Sequence, residues 1–361
     1  MRKNKSNQSR LPLTISAQYG LVDQITFFNK VVASTDLSNY YLLKKGEFAY
    51  NKSYSSDYPW GAIKRLDNYD QGALSSLYIC FAPQDNVVSD FILQYFESPK
   101  WHKGISEIAV EGARNHGLLN VAVQDFFHTY HYVPKDKKEQ IKISKLLMFL
   151  DERIATQSKI IEDLKKLKSA IIEKLYSEIQ GKEYSFGQLF DVVNERNKQM
   201  EYSNILSASQ EKGMVNRDDL NLDIQFERSN INTYKIVRKG DYVIHLRSFQ
   251  GGFAFSNKLG VCSPAYTILR PNNLLEYGYL SNYFTSQRFI KSLILVTYGI
   301  RDGRSINVDE WLGMKTTIPS KEHQQYIVKA IGSFDRKIES EEAYATHLSK
   351  QKQYLLRQMF I

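Results

Sequence analysis

Two stretches half a chain apart carry the same amphipathic helix. DLKKLKSAIIEKLY (163–176) and HLSKQKQYLLRQMF (347–360) share few identities, yet their apolar positions coincide. Leu164 matches Leu348, Ile171 matches Leu355, Ile172 matches Leu356, and Tyr176 matches Phe360. The offset is 184 residues (His347 against Asp163) in a chain of 361. Self-similarity at a fixed period restricts the fold to a duplicated architecture, because each copy must solve the same packing problem.

The echo extends backwards. VP-KDKKEQIKIS (133–144) matches IP-SKEHQQYIVK (318–329) with one residue of slippage, and LDERI (150–154) matches FDRKI (334–338). Leu147, Leu150, Ile154, Ile161, Leu164, Ile171 and Leu175 alternate at three and four residues, broken by Gln157 and Lys168. Ile331, Phe334, Ile338, Ala345, Leu348, Leu355 and Met359 repeat the stripe, broken at the equivalent Glu341 and Lys352. A period of 3.5 is a coiled-coil seam, and isolated polar residues within it fix register. Each helix is expected to run roughly 40 residues, about 60 Å. Such a helix, polar on its other faces, needs a partner for its seam, and the nearest is the other copy.

The regions between the helices repeat more faintly. KKGEF (44–48) resembles RKGDY (238–242), SSLYICFAP (75–83) resembles SPAYTILRP (263–271), and LQYFESPKW (93–101) resembles SNYFTSQRF (281–289). GARNHGLLNV (112–121) resembles GIRDGRSINV (299–308), and ISAQYGLV (15–22) echoes LSASQEKGMV (206–215). Short strands alternating with a few helices predict mixed α/β globular domains. The expected order is a globular domain (1–133), a central long helix (134–182), a second globular domain (183–318) and a terminal long helix (319–361), an α+β chain with an internal repeat. One asymmetry stands out. SFGQLFDVVNERN (185–197) opens the second domain as a helix and strand, whereas the first has a polar, basic leader there.

Lys plus Arg (48) exceeds Asp plus Glu (39), which permits a polyanionic partner without requiring one. Cys80 and Cys262 are the only cysteines, so neither a disulfide framework nor a thiolate metal site is expected, and a reducing cytoplasm is the simplest home. No signal peptide or run of ~20 apolar residues is evident. The chain contains no GxGxxG turn, no GxxxxGK[ST] loop, no GxSxG elbow, no [ND]PP[YF] and no HExxH. No catalytic residue and no metal ligand set are therefore expected.

Binding chemistry is visible instead. HLRSFQGGF (245–253) offers Arg247, Ser248 and Gln250 after a strand, with Lys258 beyond it. Arg and Gln pair bidentately with guanine and adenine edges in the major groove. A hairpin bearing a solvated arginine is the plainer alternative. The corresponding stretch YNKSYSSDYPWGAIKR (50–65) carries Asn51, Lys52, Tyr54, Lys64 and Arg65. Arg301 and Arg304 flank an Asp-Gly, and Arg114, Asn115 and His116 stand at the equivalent place. Twinned basic loops would address one extended polyanion, most residues holding phosphates and a few reading bases.

With its Ile/Val-Pro lead-ins, its copies KKEQIKISKLLMFLDERI and KEHQQYIVKAIGSFDRKI, its helices ending KLY and QMF, and its RKGDYVI strand, nearly the whole chain resembles the specificity subunit of Type I restriction–modification systems. The resemblance implies two target recognition domains separated by two long antiparallel helices under a pseudo-twofold symmetry, each helix closing its own recognition domain. Each domain would read one half of a split double-stranded DNA target, with helix length setting the spacer. It also implies docking of two modification subunits, which methylate adenine N6, and of restriction subunits. S-adenosylmethionine, ATP and Mg would then belong to those partners, with no cofactor in this chain. Family members usually open with a complete first domain, so the missing counterpart of 185–197 implies a first domain that folds but resists protease less than the second. A coiled-coil scaffold without a DNA role, and a stand-alone DNA-modifying enzyme, are the other classes. Salt-dependent duplex binding and methylation without partners, respectively, distinguish them.

Overall fold

The computed structural model describes residues 2–30, 32–109, 117–209, 212–219, 228–245, 252–298 and 305–360. It divides into two compact units: unit 1, Met1–Ser158 with Ala343–Ile361, and unit 2, Lys159–Glu342. Each unit contains one globular region and a stretch of both long helices.

In unit 1 the described strands are β1 (Pro12–Ser16), β2 (Gly20–Asp23), β3 (Tyr41–Lys44), β4 (Phe48–Asn51), β5 (Ala62–Arg65), β6 (Gln71–Leu74) and β7 (Ile79–Phe81). They form one sheet in the order β2-β1-β6-β3 and another in the order β5-β4-β7. In unit 2 they are β8 (Lys182–Ser185), β9 (Phe190–Val193), β10 (Leu206–Ser209), β11 (Gly213–Asn216), β12 (Lys235–Val237), β13 (Tyr242–Ile244), β14 (Phe253–Phe255), β15 (Gly260–Cys262), β16 (Thr267–Pro271), β17 (Thr297–Tyr298), β18 (Ser305–Ile306) and β19 (Lys315–Ile318). β14-β13-β16 reproduces β5-β4-β7, and β9 is added at the outer edge of β16. The sequence echoes fall on matching hairpins: Ser16 faces Gly20 as Ser209 faces Gly213.

The shared KGE/KGD turn explains why that motif repeats. Gly46 and Gly240 sit at φ +85° and +95°, a left-handed conformation that glycine adopts at little cost. The next carboxylate folds back on the turn: Glu47 accepts from the Lys44 amide, and Asp241 from the Arg238 amide, both at 2.8 Å. Each carboxylate is buried and paired with an arginine, but not an equivalent one. Arg2 holds Glu47, whereas Arg270 on β16 holds Asp241.

That difference corrects the expectation for the basic leader, which is an ordered counterpart of the end of 185–197. Lys3 bridges Tyr41 as Arg196 bridges Lys235. The Asn4 carboxamide bonds both the amide and the carbonyl of Ser9, and Asn197 does the same with Tyr202. Arg2, Lys3, Asn4 and Lys5 thus take the places of Glu195, Arg196, Asn197 and Lys198. Residues 182–193, which carry β8 and β9, have no counterpart among the described residues of unit 1.

The long helices span Lys137–Ser177 and Lys321–Met359, 41 and 39 residues. Every predicted seam residue is buried or half-buried, and so are the polar breaks. Within unit 2, Lys168 reaches Asp335 at 2.5 Å and Lys165 reaches Glu342 at 2.7 Å. Within unit 1, Lys352 reaches Asp151 at 2.5 Å, and Arg153 bonds Tyr344. In both units one index rises as the other falls, so the stretches run antiparallel. Asp151 and Asp335, and Lys168 and Lys352, are repeat equivalents. The lysine breaks therefore mark a reciprocal cross-helix ion pair, half-exposed and worth little in stability but informative about register.

The helix tips depart from the expectation that each helix closes its own domain. Tyr176, at the end of the central helix, packs on Tyr279 and Tyr283 in the core of unit 2. Phe360, at the end of the chain, packs on Phe91 and Tyr95 in the core of unit 1. Each core is thus sealed by the first part of the helix that follows it (Leu147, or Ile327 with Ile331) and by the last turn of the other helix.

Two buried glutamines, overlooked as site residues in the sequence, fix the helix starts. Gln140 accepts from the Val88 amide at 2.7 Å and donates to the Asn86 and Pro134 carbonyls. Gln324 accepts from the Glu276 amide at 2.8 Å and donates to the Leu274 and Pro319 carbonyls. The 184-residue offset they share, inside the matched KEQ and HQQ stretches, was the available signal.

Where β19 pairs with β8 in unit 2, the equivalent residues 130–133 have no strand partner among the described residues. His131 anchors them through its ring, Nδ1 at 3.0 Å from the Tyr95 hydroxyl and Nε2 at 2.9 Å from Thr129 Oγ1. Burial lowers its pKa, as it does that of His102. The unfolded chain then takes up a proton first as pH falls. The contribution of His131 is whole above its ordinary value and is lost below it, as the folded value is approached. A urea midpoint measured from pH 8 to pH 5 is expected to fall more steeply in the wild type than in His131→Gln, His102 being common to both.

Candidate nucleic-acid interface

The described candidate side chains fall in and beside two strand connections. In unit 1 the connection from β4 to β5 carries Lys52 and Tyr54, with Asn51 at its start. Ser53 bridges Leu118, the Tyr54 amide donates to the Gly117 carbonyl at 3.0 Å, and the Leu119 amide donates to the Lys52 carbonyl at 2.9 Å. Residues 51–54 are thereby held against 117–119, the flank of the stretch bearing Arg114, Asn115 and His116. Those three lie outside the described residues. The loop closes at Gly61, φ +78°, where a Cβ would meet the Asn51 carbonyl oxygen at 2.2 Å. Only glycine fits that return.

Asn51 accepts from the Ser53 amide, which shapes the loop, and Tyr54 is exposed. Lys64 and Arg65 are committed within the domain. Lys64 reaches Glu97 at 2.7 Å, and Arg65 is shared between Asp67 and Asp90, both at 2.7 Å. A phosphate would have to displace those carboxylates, so Lys52 is the better-placed cation of this loop.

In unit 2 the equivalent connection runs from Ile244 to Phe253, and its Arg247, Ser248 and Gln250 lie outside the described residues. Arg301 and Arg304, between β17 and β18, do so too. Ile244, Phe253, Val296 and Ile306, which flank these stretches, belong to one core cluster. Lys258 stands after β14 with its amine 3.9 Å from Asp219, a contact loose enough to exchange for a phosphate.

Burial pushes the Cys80 and Cys262 thiols up to about 12, so neither is a thiolate at neutral pH. Among the described residues no group of three His, Cys, Asp or Glu could hold a metal, and no helix is long and apolar enough to cross a membrane.

Two mixed globular domains, each sealed by stretches of two long antiparallel helices, define a recognisable fold class. A chain from a structure of the assembly and conformational transition of the type I restriction–modification system matches with a TM-score of 0.58 and 13% identity, over 88% of this chain and 82% of that one. The S subunit of the type I system of M. genitalium matches with a TM-score of 0.51 and 15% identity, over 100% of this chain and 93% of that one. The chain has the fold of type I restriction–modification specificity subunits. No family model and no curated protein matches the sequence.

Proposed function

We infer that this chain is the DNA specificity subunit of a type I restriction–modification complex, and that it carries no catalytic centre of its own. Each globular domain presents its paired loops to one half of a bipartite duplex target. The long helices set the separation of the halves and dock the modification subunits, with restriction subunits joining them in the cytoplasm. S-adenosylmethionine, ATP and Mg serve those partners. The observation that carries the reading is the whole-chain fold match, supported by basic stretches at equivalent places in the sequences of the two units.

The test reconstitutes the chain with modification subunits of a type I system and sequences the methylated adenines of a DNA library. A split target is expected. Arg247→Ala with Gln250→Ala should relax discrimination in one half only, by about 1–3 kcal/mol per lost bidentate contact. Lys52→Ala should weaken all sequences alike and reduce the salt dependence by about one phosphate contact. Methylation without any chosen sequence, or methylation by this chain alone, would overturn the reading.

A further inference from the structure

The β1–β2 hairpin of unit 1 ends beside the β4–β5 connection. The Tyr58 hydroxyl, on that connection, donates to the Ala17 carbonyl in the hairpin turn at 3.4 Å. The turn itself is fixed: the Tyr19 amide donates to Ser16 Oγ at 3.1 Å, and Gly20 takes φ +79°. Tyr19 stands at its tip, 64% exposed. Phe27, on the short helix Gln24–Phe28, packs against it with ring centroids 6.5 Å apart and planes 63° from parallel. Phe28 meets Phe27 edge-on at 5.1 Å, and both phenylalanines are exposed. Asp23 caps their helix through the amides of Ile25 and Thr26. Three braced rings thus face solvent beside a connection that carries candidate DNA-binding residues.

The fold does not require these rings. The hairpin of unit 2 has the same register: Ser209 faces Gly213 and Leu206 faces Asn216, as Ser16 faces Gly20 and Leu13 faces Asp23. On that match Lys212 takes the place of Tyr19, and Asp218 and Asp219 take those of Ile25 and Thr26. Exposed aromatics that the repeat dispenses with mark a contact surface rather than a packing need. The surroundings indicate the kind of contact. Lys30 follows Phe28 by two residues, and Lys52 opens the connection that touches the turn. Neither lysine enters an ion pair among the described residues of unit 1. Stacked base pairs between phosphate strands match both features, flat apolar faces for the rings and anions for the lysines. An apolar peptide surface would match the rings alone.

We propose that Tyr19, braced by Phe27, inserts as a wedge between stacked base pairs in the half of the duplex target that unit 1 addresses, while Lys30 and Lys52 hold neighbouring phosphates. The proposal rests on the DNA-reading function inferred above and adds a second mode of reading to it. Partial insertion of an apolar side chain unstacks one step and kinks the duplex. Pyrimidine–purine steps yield most easily, so the half-site gains a preference at positions where no base is hydrogen-bonded. Unit 2 carries a lysine and two aspartates in the same places, so the distortion belongs to one half only.

The test assembles the full chain with modification subunits of a type I system on a duplex bearing the split target that the methylation experiment defines. A fluorescent adenine analogue, whose emission rises on unstacking, is placed at successive steps of each half, and a fluorophore pair at the duplex ends reports bending. The half read by unit 1 is the one that Arg247→Ala with Gln250→Ala leaves intact. Unstacking is expected at one step of that half alone, together with a bend. Tyr19→Ala should abolish both and weaken binding by about tenfold, the scale of one aromatic–base stack, whereas Tyr19→Phe should keep them. Circular dichroism of both variants should match the wild type, because the side chain is exposed. Specific binding by the wild type with neither unstacking nor a bend in that half would overturn the wedge and leave the DNA-reading function standing. So would a Tyr19→Ala variant that binds and distorts the duplex like the wild type. Loss of the modification subunits from Tyr19→Ala with duplex binding retained would overturn it in favour of a protein contact. Failure of the wild-type assembly to choose any sequence would overturn both.

Discussion

Trp311→Ala is expected to lower the unfolding free energy of unit 2 by about 3–5 kcal/mol, the usual range for removing a buried aromatic. Trp311 is fully buried and lies flat on Phe186, 8° from parallel, with Phe253 at 5.2 Å and Phe190 at 6.1 Å. The indole therefore joins three parts of the unit: the segment 182–193, β14 and the short helix Val308–Gly313. Its loss removes contact area and leaves a cavity that rigid neighbouring rings cannot fill. Urea unfolding followed by circular dichroism reads the loss, and hydrogen exchange locates it, with 182–193 opening first. Phe127→Ala, at an exposed position of unit 1, is expected to stay within about 0.5 kcal/mol of the wild type. A small effect at Trp311 would mean that 182–193 holds its place through strand pairing alone.

The seam of the long helices was legible because a 3.5-residue stripe repeated 184 residues later leaves little freedom, whereas their ends were not: the central helix was read to 182, where β8 already begins. Even Lys168 and Lys352, which read as breaks, marked the places where a carboxylate of the facing helix arrives. The globular domains were legible as a repeat but not as a topology, since strands of three to five residues carry too little pattern to fix their partners. The N-terminal residues were misread for a specific reason. Asn4 and Asn197 are separated by 193 residues rather than 184, so the fixed offset passes over them, and their basic neighbours resemble a solvated leader. The helix tips were misassigned because Tyr176 and Phe360 show burial but not which core receives them. Of the candidate loop residues, Lys64 and Arg65 show the limit of reading cations from composition. Their carboxylate partners Glu97 and Asp90 are some 25 to 33 residues away in sequence and become neighbours only on folding.

Gln324→Leu is expected to destabilise unit 2 by about 3 kcal/mol or more, although the side-chain volume hardly changes. The carboxamide satisfies three main-chain groups at once: the Glu276 amide and the Leu274 and Pro319 carbonyls. Leucine would leave them unpaired beside a side chain that is only 1% exposed, and each such group costs about 1–3 kcal/mol. Gln140→Leu should do the same to unit 1 through Val88, Asn86 and Pro134. Gln324→Glu separates the hydrogen bonds from simple packing. A carboxylate can still accept from the Glu276 amide, but the oxygen that replaces Nε2 faces the Leu274 and Pro319 carbonyl oxygens. The folded state then prefers the protonated acid, and its pKa rises above the unfolded value. The unfolded chain binds fewer protons, so stability falls as pH rises through the unfolded carboxyl pKa and continues to fall toward the folded one. Urea midpoints at pH 4 and pH 7 should therefore order the variant as more stable in acid, relative to the wild type at each pH. In both units the glutamine ties a domain loop to the first turn of a long helix. Losing it should also loosen the angle at which that helix leaves its domain. Under the proposed function, with modification subunits and a split target, Gln324→Leu should accordingly blur the preferred spacer length by one base pair or more while leaving the bases read in each half unchanged. A sharp spacer preference retained alongside the stability loss would show that the seam alone sets the ruler.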